Sequence, residues 1–321
     1  MLKKPILIVI VGPTAVGKTN SAISLAELIR GEIVSADSRL LYRGMDIGTA
    51  KPSYQEMQHV PHHLIDVTTP DKPWSLAQYK IAANHVISDI QQRRNIPVLV
   101  GGTGQYVRAI VEGWNIPPIP EDHKIRDELV AYADRYGSMN LHDKLKGLDY
   151  EAAESIDPRN IRRIIRALEV CISTGKTFSQ LRTKTRPNYD IYMIGLTMDR
   201  TELYKRIDAR IDNMFTIGWV EEVRVLIDKG YTQDMSSMSA LGYRDVASLI
   251  RGEIDIGETK RRIRKASRRL VRRQASWFSI DDASINWYEM RDLSITQLLS
   301  LIHISEPTRP RLISYAVFCL K

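Results

Sequence analysis

The chain has 321 residues, which at roughly 150 residues per domain suggests two domains or one domain with a large insertion. Hydrophobic residues make up 43% and charged residues 26%, a globular mixture that excludes wholesale disorder. The two cysteines, Cys171 and Cys319, exclude a disulfide scaffold and every multi-cysteine metal framework, while a formal charge of +8 permits a polyanionic partner without requiring one.

The first apolar run, Ile6–Val11, is far short of a membrane span and reads as a strand buried on both faces. Met1-Leu2-Lys3-Lys4 before it imitates a signal peptide. No small-residue cleavage site follows, so the expectation is a soluble cytoplasmic protein. Next comes Gly12-Pro13-Thr14-Ala15-Val16-Gly17-Lys18-Thr19, which matches G-x-x-x-x-G-K-[ST]. In such a loop backbone N–H groups surround phosphate oxygens, Lys18 neutralises them and the Thr19 hydroxyl can hold Mg²⁺. The alternative is a chance glycine turn. A phosphate ligand follows from this motif, but no reaction does.

A helix is expected next, with Ala22, Leu25, Ala26 and Ile29 on one face and Gly31 past its end. Ile33–Ala36 reads as a second strand, ending at Asp37 beside Ser38. Carboxyl ends of parallel strands face the ligand crevice, so Asp37 is a candidate general base; the alternative is a turn or cap aspartate. His62-His63 near Asp66 invites a metal reading, but adjacent histidines in an extended segment point opposite ways, and structural histidines are the better account. Ala77, Ile81, Val86 and Ile90 carry helical spacing, and Val98–Val100 is a third strand before Gly101-Gly102-Thr103. It lacks the acid with which ATPases of this type help hold Mg²⁺. The pattern predicts an α/β fold, a P-loop NTPase-like doubly wound parallel sheet.

From Asn115 the character changes. Pro117, Pro118 and Pro120 mark a boundary, and residues 121–182 are helical and charged, so a helical domain over 115–189 is read as inserted into a core of 1–114 and 190–300. Within it Asp157-Pro158 is the expected helix start. Arg159, Arg162, Arg163 and Arg166 share one face, backed by Ile161, Ile164, Ile165 and Leu168. After the strand-like Ile191–Leu196 the chain is helical again, up to a short strand signal at Ile285-Asn286-Trp287-Tyr288. Between Lys260 and Arg273 stand Lys260, Arg261, Arg262, Arg264, Lys265, Arg268, Arg269, Arg272 and Arg273, with no acid; Ile263, Ala266 and Leu270 would dock this helix. Like charges in one helix repel unless a polyanion neutralises them, and arginine favours phosphate forks; the alternative is a solvated face. Residues 301–321 do not fit what precedes them: HISEPTRPRLISYAVFCLK resembles translated sequencing-adapter read-through, and no function is assigned to it or to Cys319.

Taken together, the phosphate loop GPTAVGKT, the string Val34-Ser-Ala-Asp37-Ser38-Arg39-Leu40-Leu-Tyr42 through Lys51-Pro52, Pro61-His-His-Leu-Ile-Asp66, Val100-Gly-Gly-Thr103, Arg166-Ala-Leu-Glu169, Leu241-Gly-Tyr-Arg244 and Arg273-Gln-Ala-Ser-Trp277-Phe resemble the tRNA dimethylallyltransferases, in order, from about Pro5 to Ser300. The resemblance implies transfer of a dimethylallyl group from dimethylallyl diphosphate to N6 of the adenosine 3′ of the anticodon. Gly12 to Thr19 would hold the diphosphate with Mg²⁺ on Thr19, and Asp37 would take the N6 proton. The tRNA anticodon stem-loop would meet Asp37, Ser38, Arg39, Leu40, Thr103, Arg126, Arg162, Arg163, Ile164, Ile165, Arg166, Ser239, Ala240, Leu241, Gly242, Tyr243, Arg244, Arg272, Arg273, Gln274, Trp277 and Phe278. The target base would be flipped out to reach the pocket, with the helical insertion clamping the stem-loop opposite the Lys260–Arg273 helix. The sequence departs from the family at Leu40, where many members carry glutamine. Nothing suggests an obligate partner, so a monomer is expected. Rival readings are a small-molecule kinase, which would turn over ATP beneath a lid, and a nucleic-acid-binding module with a vestigial phosphate loop. Prenylation of free adenine nucleotides is disfavoured, because a small acceptor needs no arginine-rich clamp.

Overall fold

The computed structural model describes residues 4–117 and 119–290. Pro118, the end of the expected core beyond residue 290, the 301–321 segment and Cys319 lie outside the described residues. Six strands form one sheet: β1 (Ile6–Val11), β2 (Gly31–Ser35), β3 (His62–His63), β4 (Ile96–Val100), β5 (Asp190–Thr197) and β6 (Ile285–Glu289). Their order is β3-β2-β4-β1-β5-β6, and every pairing is parallel. Leu7 to Val11 are fully buried, as a central strand covered on both faces must be. The carboxyl ends of β1, β2 and β4 therefore open on the same edge of the sheet.

The helices are α1 (Lys18–Ile29), α2 (Tyr54–His59), α3 (Leu76–Gln92), α4 (Gly104–Val111), α5 (His123–Leu148), α6 (Tyr150–Ser155), α7 (Ile161–Thr174), α8 (Phe178–Leu181), α9 (Arg200–Thr216), α10 (Trp219–Asp228), α11 (Tyr243–Ile250) and α12 (Ile256–Trp277). None is long and apolar enough to cross a membrane. The described residues fall into two compact units, one within Met1–Trp74, Ala82–Val107 and Asn188–Lys321, the other within Ser75–Ile81 and Arg108–Pro187. The first is built around the sheet. The second is helical, and its core includes Leu141, Leu145, Ile164 and Leu168.

Gly31 lies past the end of α1 as expected and opens β2, and the residue between, Arg30, takes the left-handed conformation that ends the helix, at φ 52°. Several local expectations are corrected. In α3 Ile81 is 62% exposed, and the buried face runs through Ala77, Tyr79, Ala83, Ile87 and Ile90. Asp157-Pro158 forms a turn ahead of α7, whose cap is Asn160, accepting from the Arg163 N–H. Arg159 thus lies outside the helix, pairing with Asp157, and Ile161 is exposed. His62 and His63 form the edge strand β3. His63 Nε2 meets the buried Glu32 carboxylate at 2.7 Å, whereas His62 Nε2 is buried without a partner among the described residues.

The segment Gly44–Lys51, part of the family-like string, has a structural explanation. One carboxylate, Glu222, accepts the successive N–H groups of Asp46, Ile47 and Gly48 and the Tyr243 hydroxyl. Burial, with Glu222 adding to it, pushes the Tyr243 phenol pKa up. Lys51, almost fully buried, is neutralised by Asp46 and Asp66. Removing the acceptor strands several donors at once, so Glu222→Ala should cost about 3 kcal/mol, read as a lower urea midpoint at unchanged slope, and Glu222→Gln clearly less.

Candidate active site

The chain leaves β1 at Gly12 with φ +146°, where a Cβ would stand 2.4 Å from the Leu196 carbonyl oxygen of β5. Only glycine passes that backbone. The loop closes over Lys18, whose Nζ donates to the carbonyls of Gly12 and Pro13 at 3.0 and 2.8 Å. Gly17, left-handed, precedes α1 and offers no side-chain cap, so the first-turn N–H groups keep their capacity for an anion. Thr19 lies in this first turn.

Asp37 follows β2. Its Oδ1 accepts the Arg39 N–H at 2.9 Å, the turn contact expected of an aspartate there, and no partner of Oδ2 is found among the described residues. Ser38 N–H donates to Thr103 Oγ1 at 3.0 Å, and the Thr103 N–H returns to the Ala36 carbonyl at 3.2 Å. Arg39 reaches the Ser236 carbonyl and Ser239 Oγ. Gly12 to Thr19, Asp37 to Leu40 and Thr103 are thus gathered at one sheet edge.

Arg210 of α9 joins them and has no sequence motif to announce it. Desolvation lowers the Lys18 pKa to about 8, with Asp37 pulling it up and Arg210 pushing it down. Burial also lowers the Arg210 pKa, opposed by Asp37. Lys18 and Arg210, both half-buried, thus repel each other beside one carboxylate, a field that favours a bound anion. Tyr106 is buried in the same field, its phenol pKa raised by burial and then by Tyr42 and Asp37.

The arginine-rich helix is less bare than its sequence suggests. Asp255 caps α12 and Glu258 sits in its first turn. Arg261 and Arg262 pair with Glu258, Lys260 and Arg264 with Asp212, and Arg264 and Arg268 with Asp208. Lys265, Arg269, Arg272 and Arg273 carry no ion pair among the described residues. The docking stripe is Ile263, Ser267, Val271 and Gln274; Ala266 and Leu270 are half-buried. Among the expected RNA contacts of this unit, Ala240, Tyr243, Gln274 and Phe278 have buried side chains, and Gly242 is buried. Their side chains serve the interior of the fold. Leu241 is half-buried, while Ser239, Arg244, Arg272, Arg273 and Trp277 are exposed.

In the helical unit Ile164 and Ile165 are core residues, which removes their side chains from any RNA surface. Arg162 and Arg163 are exposed. Arg126 and Arg166 both bind Glu169, which is fully buried; burial opposes its ionisation, but these hydrogen bonds hold its pKa below the usual carboxylate value. The two arginines are therefore positioned by an internal counter-ion.

The Lys18 pKa makes anion binding depend on pH. The free protein carries Lys18 charged below about pH 8, and a bound polyanion favours the charged form. Affinity for inorganic pyrophosphate should then fall from pH 7 to 9.5, by up to about tenfold per unit above pH 8. Calorimetric titration should show this fall reduced in Lys18→Arg, whose charge does not titrate there.

Residues 40–281 match the family model described as IPP transferase, and residues 5–72 the one described as isopentenyl transferase. The tRNA dimethylallyltransferase of Herpetosiphon aurantiacus is 48% identical over 275 residues, 86% of this chain and 87% of that protein. That of Halalkalibacterium halodurans is 42% identical over 300 residues, 92% and 95% of the two chains. The crystal structure of the full-length tRNA isopentenylpyrophosphate transferase from Bacillus halodurans, 40% identical, covers 94% of this chain and 95% of its own at a TM-score of 0.68. A eukaryotic dimethylallyltransferase acting on tRNA shares the fold, with a TM-score of 0.77 at 22% identity over 94% of this chain and 80% of its own. The chain belongs to the IPP transferase family, that of the tRNA dimethylallyltransferases.

Proposed function

We propose that the chain transfers the dimethylallyl group from dimethylallyl diphosphate to N6 of the adenosine 3′-adjacent to the anticodon in tRNA, acting as a cytoplasmic monomer. The observation that carries this reading is the electrostatic influence of Asp37, just after β2, on both Lys18 at the start of α1 and Arg210 of α9. A carboxylate that can take a proton stands beside cations that can take a leaving anion. The N–H groups left uncommitted between Gly12 and Thr19 hold the diphosphate, that of Thr14 being taken by Gln274, and Lys18 and Arg210 stabilise the charge that grows as the carbon–oxygen bond breaks. The N6 lone pair forms the new bond to carbon, and the N6 proton passes to Asp37. Tyr106 and Tyr42 supply the apolar surroundings.

The donor set fits a hard cation held mainly by substrate. Among the described residues no group of three or more His, Cys, Asp or Glu could hold a metal by itself, while the Thr19 hydroxyl beside phosphate oxygens suits Mg²⁺, which keeps several waters and phosphate ligands. Bound there, Mg²⁺ would neutralise the diphosphate. The kinase reading is disfavoured by the end of β4, where Gly101-Gly102-Thr103 provides no acid.

The RNA would lie on Lys265, Arg269, Arg272, Arg273 and Arg244, with Trp277 able to stack on a base and Ser239 beside Arg39. Arg126, Arg162, Arg163 and Arg166 would contact it from the helical unit, and Ser38, Leu40 and Thr103 would border the flipped base. The test is a nucleoside mass analysis after incubation with dimethylallyl diphosphate, Mg²⁺ and unmodified tRNA. Asp37→Ala should lower turnover by about 10²–10⁴-fold and largely spare tRNA affinity. Arg269→Ala with Arg272→Ala should do the reverse, weakening tRNA binding and reducing its salt slope by about two. Equal loss of tRNA affinity in both would overturn the assigned roles.

A further inference from the structure

The last turn of α12 carries a buried amide that the mechanism above leaves unused. Gln274 is 7% exposed, on a helix whose Arg272 and Arg273 face solvent. Its Oε1 accepts the Thr14 N–H at 2.8 Å, and its Nε2 donates to the Gly102 carbonyl at 3.2 Å. One side chain therefore holds main-chain groups of two loops, the phosphate loop after β1 and the glycine loop after β4. Turning or withdrawing the amide would leave a buried donor and a buried acceptor unpartnered.

Both contacts continue to working parts of the site. Thr14 belongs to the loop closed by Lys18, through Gly12 and Pro13. Gly102 precedes Thr103, whose hydroxyl accepts the Ser38 N–H next to Asp37. The fit around the amide is tight, since a Cβ on Gly102 would stand 2.1 Å from Gln274 Nε2. A displacement of the α12 end is thus carried to the phosphate loop through one end of the amide and towards Asp37 through the other.

We propose that Gln274 is a positioning residue that couples RNA docking on the exposed arginines of α12 to diphosphate binding in the phosphate loop; this rests on the function proposed above. RNA loads Arg269, Arg272 and Arg273, the helix end settles, and the amide fixes Thr14 and Gly102 in the geometry that receives the anion. Linkage makes the effect reciprocal: diphosphate in the loop steadies the helix end for RNA.

The experiment titrates inorganic pyrophosphate into the full chain, alone and saturated with unmodified anticodon stem-loop RNA, and repeats the titration in the opposite order. In the wild type each ligand should tighten the other on the order of tenfold. Gln274→Met keeps the volume and removes both hydrogen bonds, and Gly102→Ala reaches the same contact from the other side by displacing Nε2. In both variants each ligand alone should still bind, the mutual tightening should vanish, and the KM for RNA at saturating dimethylallyl diphosphate should rise by about the same tenfold. A merely structural amide would instead weaken both ligands and leave their ratio intact. Coupling that persists in Gln274→Met, independent binding in the wild type, or loss of folding in both variants overturns the proposal. Failure of the wild type to bind pyrophosphate or RNA overturns the proposed function, and the coupling with it.

Discussion

The site depends on how closely the end of β4 is pressed between its neighbours. Gly101 N–H donates to the Ile10 carbonyl at 3.3 Å, Ala36 N–H to Val100 at 2.7 Å, and Thr103 N–H to Ala36 at 3.2 Å. These bonds tie the segment to β1 on one side and β2 on the other, and the Thr103 hydroxyl and the Gln274 amide extend the ties to Ser38 and to the phosphate loop. Such closeness leaves no space for side chains. A Cβ on Gly101 would stand 2.2 Å from the Ala36 oxygen, and Gly102 is closed off by Gln274. The missing acid at this strand end is therefore a packing consequence, and Thr103 is the first residue there with room to act.

Charge is arranged by the same economy. A loop, a half-buried lysine and a half-buried arginine beside one aspartate create a field that favours a leaving diphosphate. On α12 the acids of α9 and the helix's own first turn neutralise Lys260, Arg261, Arg262, Arg264 and Arg268. That relieves the repulsion that the run of like charges implies, and it leaves the uncommitted cations near the carboxyl end of the helix, beside Gln274 and Trp277. Glu169 does comparable work for Arg126 and Arg166 in the helical unit.

What could be read from residues alone was whatever depends on local backbone. β1 runs over the span its apolar run predicts, the phosphate loop joins it to α1, and Asp37 stands at a strand end because the strand before it is short and buried. Residues whose importance comes from tertiary approach were hidden. Arg210 sits in a helix of alternating charges and becomes notable only beside Lys18. Asp208 and Asp212 look like ordinary surface acids until α12 is laid against them. Tyr243 and Gln274 fall inside family-like strings, yet a string does not say which way a side chain points, and both turn inward. Asp157-Pro158 and Asn160 are both good cap signals, and α7 starts after Asn160, whose Oδ1 accepts the Arg163 N–H.

The central claim is that the phosphate loop holds a leaving group and not a nucleotide to be hydrolysed. Phosphorus NMR of a reaction containing dimethylallyl diphosphate, Mg²⁺, unmodified tRNA and ATP tests it most directly. One diphosphate should be released for each dimethylallyl group found on RNA, with the ATP signals unchanged. Conversion of ATP to ADP in step with product, or product without diphosphate, would contradict it.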